Sequence, residues 1–209
     1  MGQQTGRPAL GFIADDKALD FINSIAAPRG TEYDWLSNGK DLLAWLVASE
    51  LITAEEADGL GHQIEDRALE GAAKKARELR EWFRKIVLYR AGTKLGGVTE
   101  GDLKKLNEIL AQASNFLALE TGPVKTLQLT NRRRWGGADM LLVPIAEAMA
   151  KLIESVDFSE IKNCEGPTCT MMFRDISKNH KRRWCSMAVC GNRAKAAAHR
   201  KKIKSKENS

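Results

Sequence analysis

The four cysteines of this chain lie within 27 residues, in the pattern Cys164-x4-Cys169-x15-Cys185-x4-Cys190. Two short loops, each offering a pair of sulfurs, can close a tetrahedron around one zinc ion, which takes four ligands and suits thiolates. A segment of about 50 residues cannot bury enough apolar surface alone, so metal binding would supply much of its folding free energy. Two disulfides or four unpaired core thiols are the competing readings. Short spacings in a reducing compartment favour a metal. Four thiolates close the coordination shell, so the ion is expected to be structural. His180 and His199 sit in basic stretches and are expected to be exposed. Gly166-Pro167 makes the first loop a turn, and Gly191 is expected to let backbone amides approach a thiolate.

Charge divides the chain near residue 160. Residues 162–209 hold 13 Lys and Arg against 3 Asp and Glu, a net of +10, whereas residues 1–161 hold 20 against 24, a net of −4. A concentrated cation at one end suits a polyanionic partner, most often nucleic acid. The expected organisation is a helical domain with a β-hairpin over 1–160 and a basic zinc-binding module over 161–209. Hydrophobic residues make up 43% of the sequence, enough for a packed core. Residues Met1 to Thr5 show no basic region leading into an apolar stretch, so no signal peptide is expected. No run approaches the roughly 18 apolar residues of a membrane span. A cytoplasmic location is expected.

The first 160 residues read as mostly α with a small antiparallel β-sheet, an α+β class. Leu19, Ile22 and Ile25 predict a helix from Asp15 to about Ala26, ended by Pro28-Arg29-Gly30. A second covers Asp41 to Ser49. Thr53 and Glu56 form a capping box, and Gly59 and Gly61 weaken the short helix behind it. Ala76, Leu79, Trp82, Phe83, Ile86 and Val87 give one stripe over Ala72 to Arg90. A further helix follows Thr99, with Leu103, Leu106, Ile109 and Leu110 inward. Phe116 to Glu120 and Lys125 to Thr130 alternate around Gly122-Pro123, predicting a hairpin, with a third strand near Trp135. A last helix spans Met140 to Ser155, begun or kinked by Pro144.

Asp175-Ile176-Ser177-Lys178-Asn179, followed by Arg183-Trp184-Cys185-Ser186-Met187-Ala188-Val189-Cys190-Gly191-Asn192-Arg193, resembles the CGNR zinc-finger family, named for its Cys-Gly-Asn-Arg signature. The N-terminal part resembles the companion ABATE domain, through Leu19-Asp20-Phe21-Ile22-Asn23-Ser24, through Asp41-Leu42-Leu43-Ala44-Trp45-Leu46, and through the helix order. The resemblance implies a bacterial transcription regulator, stress-induced, with a zinc-bearing DNA-binding end; the helical part is expected to serve sensing or homodimerisation.

A helix is expected after Cys185, with Cys190 in its first turns and a hairpin near Met172–Arg174 before it. That is a treble-clef or zinc-ribbon arrangement. Arg193, Lys195, Arg200, Lys201, Lys202 and Lys204 then surround the polar side of the helix. Asn192 and Arg193 are candidates for reading bases, since Arg grips guanine and Asn pairs with adenine. They are equally candidates for braces, with Arg193 on Asp175 and Asn192 on backbone. Lys178, Lys181, Arg182 and Arg183 are expected on phosphates. Trp184 and Phe173 read as core, and the Lys201–Lys206 run as a solvated tail. Arg132-Arg133-Arg134-Trp135 reads as an exposed turn anchored by Trp135, or as an auxiliary anion site. Asp20, Asn23 and Trp45, with Phe21, could line a small-ligand pocket; bracing of neighbouring helices is the plainer role. No paired carboxylates, Ser–His–Asp arrangement or phosphate-cradling loop is present, and no enzyme is expected. DNA is the expected partner. An RNA-binding zinc protein and a zinc-stabilised protein-interaction adaptor are the alternatives.

Overall fold

The computed structural model describes residues 7–9, 11–93, 98–122 and 126–207. The organising element is α4 (Asp66–Arg90), whose Leu69, Ala72, Ala73, Ala76, Leu79, Phe83, Ile86 and Val87 are buried along one stripe. It begins six residues before the expected Ala72, because Leu69 already lies in the core. Trp82 sits at the edge of the stripe, with the Lys105 ammonium 4.6 Å from its ring centroid. Around α4 pack α1 (Lys17–Ile22), α2 (Gly39–Ala48), the 3-10 turn Ala138–Leu142 and, at its end, the 3-10 turn Phe158–Glu160.

Local signals set most boundaries. The capping box at Thr53 starts α3 (Ala54–Gln63). Thr99 and Asp102 form a second one at α5 (Glu100–Leu110), and both satisfy amides that a helix start leaves open. On α5 the inward face is narrower than its apolar residues suggest: Leu106 is buried, Ile109 and Leu110 are partly buried, and Leu103 is exposed. Pro144 lies at the first positions of α6 (Val143–Ser155) and begins that helix without kinking it.

The first helix is shorter than its spacing predicts. Asp16 caps α1, whose last residue is Ile22. The chain then extends into β1 (Ile25–Ala26), paired antiparallel with β2 (Tyr33–Asp34). A tertiary contact takes it out of the helix. Arg80, buried on α4, donates to Ser24 Oγ at 3.0 Å and to both Asp34 carboxylate oxygens at 2.9 and 2.8 Å. The hairpin β3 (Asn115–Thr121) and β4 (Leu127–Arg133) pairs from Asn115↔Arg133 to Thr121↔Leu127. The expected strand start at Lys125 lies outside the described residues. The third strand near Trp135 does not form. Arg134 N bonds Ser114 O beyond the last ladder pair, and Trp135 turns onto the core with Nε1 3.3 Å from Glu56 Oε1. By register, Leu117, Leu119, Leu127 and Leu129 share the exposed face of this hairpin.

The C-terminal part continues the same body. Strands β5 (Ile161–Asn163) and β6 (Met172–Arg174) pair antiparallel, and Ile161 and Met172 belong to the core around α4. A π-helical turn, Met187–Gly191, leads into α7 (Asn192–Glu207).

Candidate metal centre and nucleic-acid interface

Cys164 follows β5 and Cys169 precedes β6, so both lie in the turn of one hairpin. Cys185 and Cys190 flank and enter the π-turn that opens α7. A hairpin turn combined with a helix start is the treble-clef form of the two arrangements expected. The four Sγ atoms lie within 4.8 Å of one another. Cys169–Cys185 and Cys185–Cys190 are separated by 3.8 and 3.7 Å, and all four thiols are free. A tetrahedron with Zn–S distances of about 2.3 Å has edges of about 3.8 Å, whereas a disulfide needs about 2.05 Å. The donor set therefore fits one tetrahedral zinc ion and fits neither pair of disulfides. His180 bonds the Asp175 backbone through Nδ1 at 3.0 Å, His199 is exposed, and neither joins the sulfur cluster.

Four sulfurs this close cannot all ionise by themselves. The Cys185 hydrogen bond lowers the Cys169 thiol to about 5. That same bond and burial push Cys185 up, and burial pushes Cys190 up. A divalent cation reverses this, because it favours the thiolate at every ligand. The surroundings are arranged for negative sulfur. Cys185 N and Gly166 N point at Cys164 Sγ from 3.3 and 3.4 Å. Arg193 Nη2 lies 3.0 Å from Cys190 Sγ. Gly166 suits the cluster: a Cβ there would stand 3.1 Å from Cys169 Cβ and 3.3 Å from Cys190 Sγ, so the cysteines would have to shift by a few tenths of an ångström. Gly191 has another reason. A Cβ at Gly191 would meet Met187 Sδ at 2.7 Å, so its small size seats Met187 instead of opening a path to a thiolate.

Two arginines expected at nucleic acid are engaged inside the protein. Arg182 uses all five of its N–H donors: Nε on Trp184 O, Nη1 on Asp15 and Arg174 O, and Nη2 on Ile13 O and Cys185 O. Its guanidinium also stacks 4.3 Å from the Phe173 ring centroid. A phosphate contact from Arg182 is thereby excluded in this arrangement. Arg193 Nη2 donates to Pro28 O at 2.6 Å as well as facing Cys190. It braces the site, but the expected partner Asp175 is engaged elsewhere. Asp175 is fully buried and accepts from Lys162 Nζ, Ser177 Oγ and Arg182 N at 2.5, 2.5 and 2.9 Å. Burial raises its carboxyl, but these bonds outweigh burial and hold it well below the usual carboxylate range. Asp175 thus ties the loop before Cys185 to β5, a role that nothing in its local sequence signals.

The remaining cations face solvent. Arg183 is exposed, pairs with Glu165 at 2.5 Å and stacks on Trp184. Lys178 and Lys181 are exposed on the loop. On α7 every residue from Lys195 to Ser205 is exposed, and Lys195, Arg200, Lys201 and Lys202 have no ion partner among the described residues. Asn192 is exposed at the helix start, with Nδ2 3.3 Å from Ala188 O. The Arg132–Arg134 patch is largely neutralised. Arg132 pairs with Glu120 at 2.8 Å and Arg133 with Glu147 at 2.6 Å.

Asp20, Asn23 and Trp45 are buried and engaged within the fold. Asp20 Oδ1 accepts from Ile13 N and Ala14 N, both at 3.1 Å. Asn23 exchanges two hydrogen bonds with Met172, at 2.8 and 2.9 Å, and so acts as a strand partner for β6. Trp45 is buried with Phe21, ring centroids 5.3 Å apart. Asn23 is a joint on which the zinc-bearing part docks, and Asp20 holds the segment Ile13–Ala14 against α1, so both residues brace neighbouring elements.

A helical body carrying a small four-cysteine finger with an emergent basic helix defines the class, a zinc-finger protein of two parts. The chain matches the ABATE family, described as "Putative stress-induced transcription regulator", over residues 15–156. It matches the CGNR zinc finger over residues 160–202. The chain belongs to the ABATE family and carries the CGNR finger behind that domain. No curated protein matches it. Among the described residues no helix is long and apolar enough to cross a membrane.

Proposed function

We propose that this chain is a DNA-binding transcription regulator, in which one structural zinc ion at Cys164, Cys169, Cys185 and Cys190 sets the start and direction of a basic recognition helix. The observation that carries this reading is α7: a helix launched from the metal site, exposed from Lys195 to Ser205, with Lys195, Arg200, Lys201 and Lys202 free of ion partners among the described residues. Lys178, Lys181, Lys195, Arg200, Lys201 and Lys202 would contact phosphates, and Arg183 would exchange Glu165 for one. Asn192 is the base-reading candidate, since it is exposed and among the described residues its side chain bonds only Ala188 O of the adjoining π-turn. Arg182 and Arg193 hold the helix start in place.

Duplex DNA is favoured over single-stranded RNA because stacking aromatics are missing from this face. Phe173 is buried, and Trp184 is half-buried beneath Arg183. A chain ending at Ala194 keeps the cysteines and both braces and removes residues 195–205, all of them exposed, with the four residues that follow. It is expected to retain zinc and to lose duplex retention at moderate salt. Unchanged duplex affinity, or equal retention of single-stranded RNA by the full chain, would overturn the reading.

A further inference from the structure

A cavity of about 420 Å³ opens where the helical body meets the zinc site. Its volume lies within the range of small-molecule sites, which favour such junctions. Tyr33, Trp35, Pro28, Met171 and Val189 give it a mainly apolar wall, and Trp35 and Tyr33 offer two rings 5.8 Å apart. Trp35 is held by its Nε1 bond to Pro8 O at 3.0 Å, so the wall is preformed. The polar side chains of the lining are Arg29, Thr31, Ser186 and the Tyr33 hydroxyl, and none of these has a hydrogen-bond partner among the described residues. Arg29 is the single charged side chain of the lining, and no carboxylate faces it there.

We propose that this cavity is an effector site for a small aromatic acid, its ring against Tyr33, Trp35 and Val189 and its anionic group at Arg29. Its position gives an occupant purchase on the recognition helix. One wall is the Pro28-Arg29 turn, to which Arg193 bonds. Ser186, which precedes the π-turn, and Val189, within it, also belong to the lining. An occupant touching both the Pro28-Arg29 turn and the π-turn holds the latter against the body and slows release of the ion. The site itself does not depend on the DNA-binding reading, and its test uses no DNA.

The zinc-loaded full chain is titrated with two fluorescent probes, anionic 1-anilinonaphthalene-8-sulfonate and neutral N-phenyl-1-naphthylamine. Both are expected to bind saturably, one per chain. Arg29→Gln should weaken the anionic probe a few-fold, as an exposed ion pair does, and leave the neutral one unchanged. That difference also separates the cavity from ion pairing along α7. Val189→Trp should weaken both by about tenfold or more, equivalent to about 1.4 kcal/mol. Thr31→Trp, which narrows the mouth from an exposed turn, serves the same purpose if Val189→Trp lowers zinc content. Zinc transfer to a chelator should slow at saturating probe. Absence of saturable binding, equal binding by the filled variants, or a rate of zinc transfer indifferent to the probe would overturn the proposal.

Discussion

Arg193 and Asn192 are neighbours with different tasks. The Arg193 guanidinium spans Cys190 Sγ and Pro28 O, joining a metal ligand to the helical body. Arg193→Ala is expected to release zinc to a chelator faster and to lower the melting temperature. Asn192→Ala should keep both and lose about 1–3 kcal/mol of discrimination at one base pair. Zinc transfer rates and binding to single-site DNA variants distinguish the two. Cys-Gly-Asn-Arg is legible as a signature, and bracing is legible as one of its two meanings. The partner of Arg193 is not, because Pro28 lies 165 residues away and contributes a backbone carbonyl that no side-chain pattern announces. Asp20 is a second residue whose environment decides its chemistry. Burial raises its carboxyl to about 6, despite amide bonds from Ala14 and Ile13, and the charges of Asp16 and Asp15 add to the rise. The folded state therefore holds this proton more tightly than the unfolded state, and the Asp20 contribution to stability falls as pH rises from about 4 to about 6. Asp20→Asn keeps an acceptor oxygen and carries no charge. It should melt above the parent at pH 7.5 and lose that advantage near pH 4; an equal difference at both pH values would contradict this.

At the scale of elements, helices announce themselves where one apolar face meets one neighbour. The spacing of α4, the capping boxes of α3 and α5, and Pro144 at the start of α6 are each visible as residues a few positions apart. The spacing fails at Ile25, where Arg80, 56 residues from Ser24, captures the chain for the short ribbon of β1 and β2. Arg80 is 2% exposed and Asp34 is 26% exposed at the side chain. Removing the arginine leaves a partly buried carboxylate unpaired, so Arg80→Ala should cost about 2–4 kcal/mol in denaturant unfolding, somewhat below a wholly buried pair. Arg80→Ala with Asp34→Ala should cost less than the sum of the single changes. Asp34 and Asp175 have carboxyls held below their ordinary values: burial raises each, and the bonds to Arg80 and Leu36 N, or to Lys162, Ser177 and Arg182 N, outweigh it. Their stabilisation is present above the unfolded carboxylate range, near pH 4, and is lost as pH falls through the folded values.

For the whole molecule, the charge boundary near residue 160 does not divide the packing. Ile161 and Met172 lie in the core around α4, and Ala26 and Trp35 lie among the cysteines. Asn23, Arg182 and Arg193 bond across the junction. Composition shows where cations concentrate, but the strand exchange between Asn23 and Met172 rests on two residues 149 apart. The zinc-loaded chain should therefore melt in one transition. Cys169→Ser should lower that transition for the entire chain instead of unfolding residues 161–209 alone, as followed by helix content and by tryptophan fluorescence. The central claim is that a zinc-held helix binds DNA through its free cations, and the salt dependence of duplex binding tests it most directly. Lys195, Arg200, Lys201 and Lys202 are replaced together by Gln in the full, zinc-loaded chain, and the logarithm of affinity is followed against the logarithm of salt concentration. The account predicts unchanged zinc content and melting, with a slope shallower by about 0.9 for each phosphate contact removed. An unchanged slope with zinc and fold intact would contradict it.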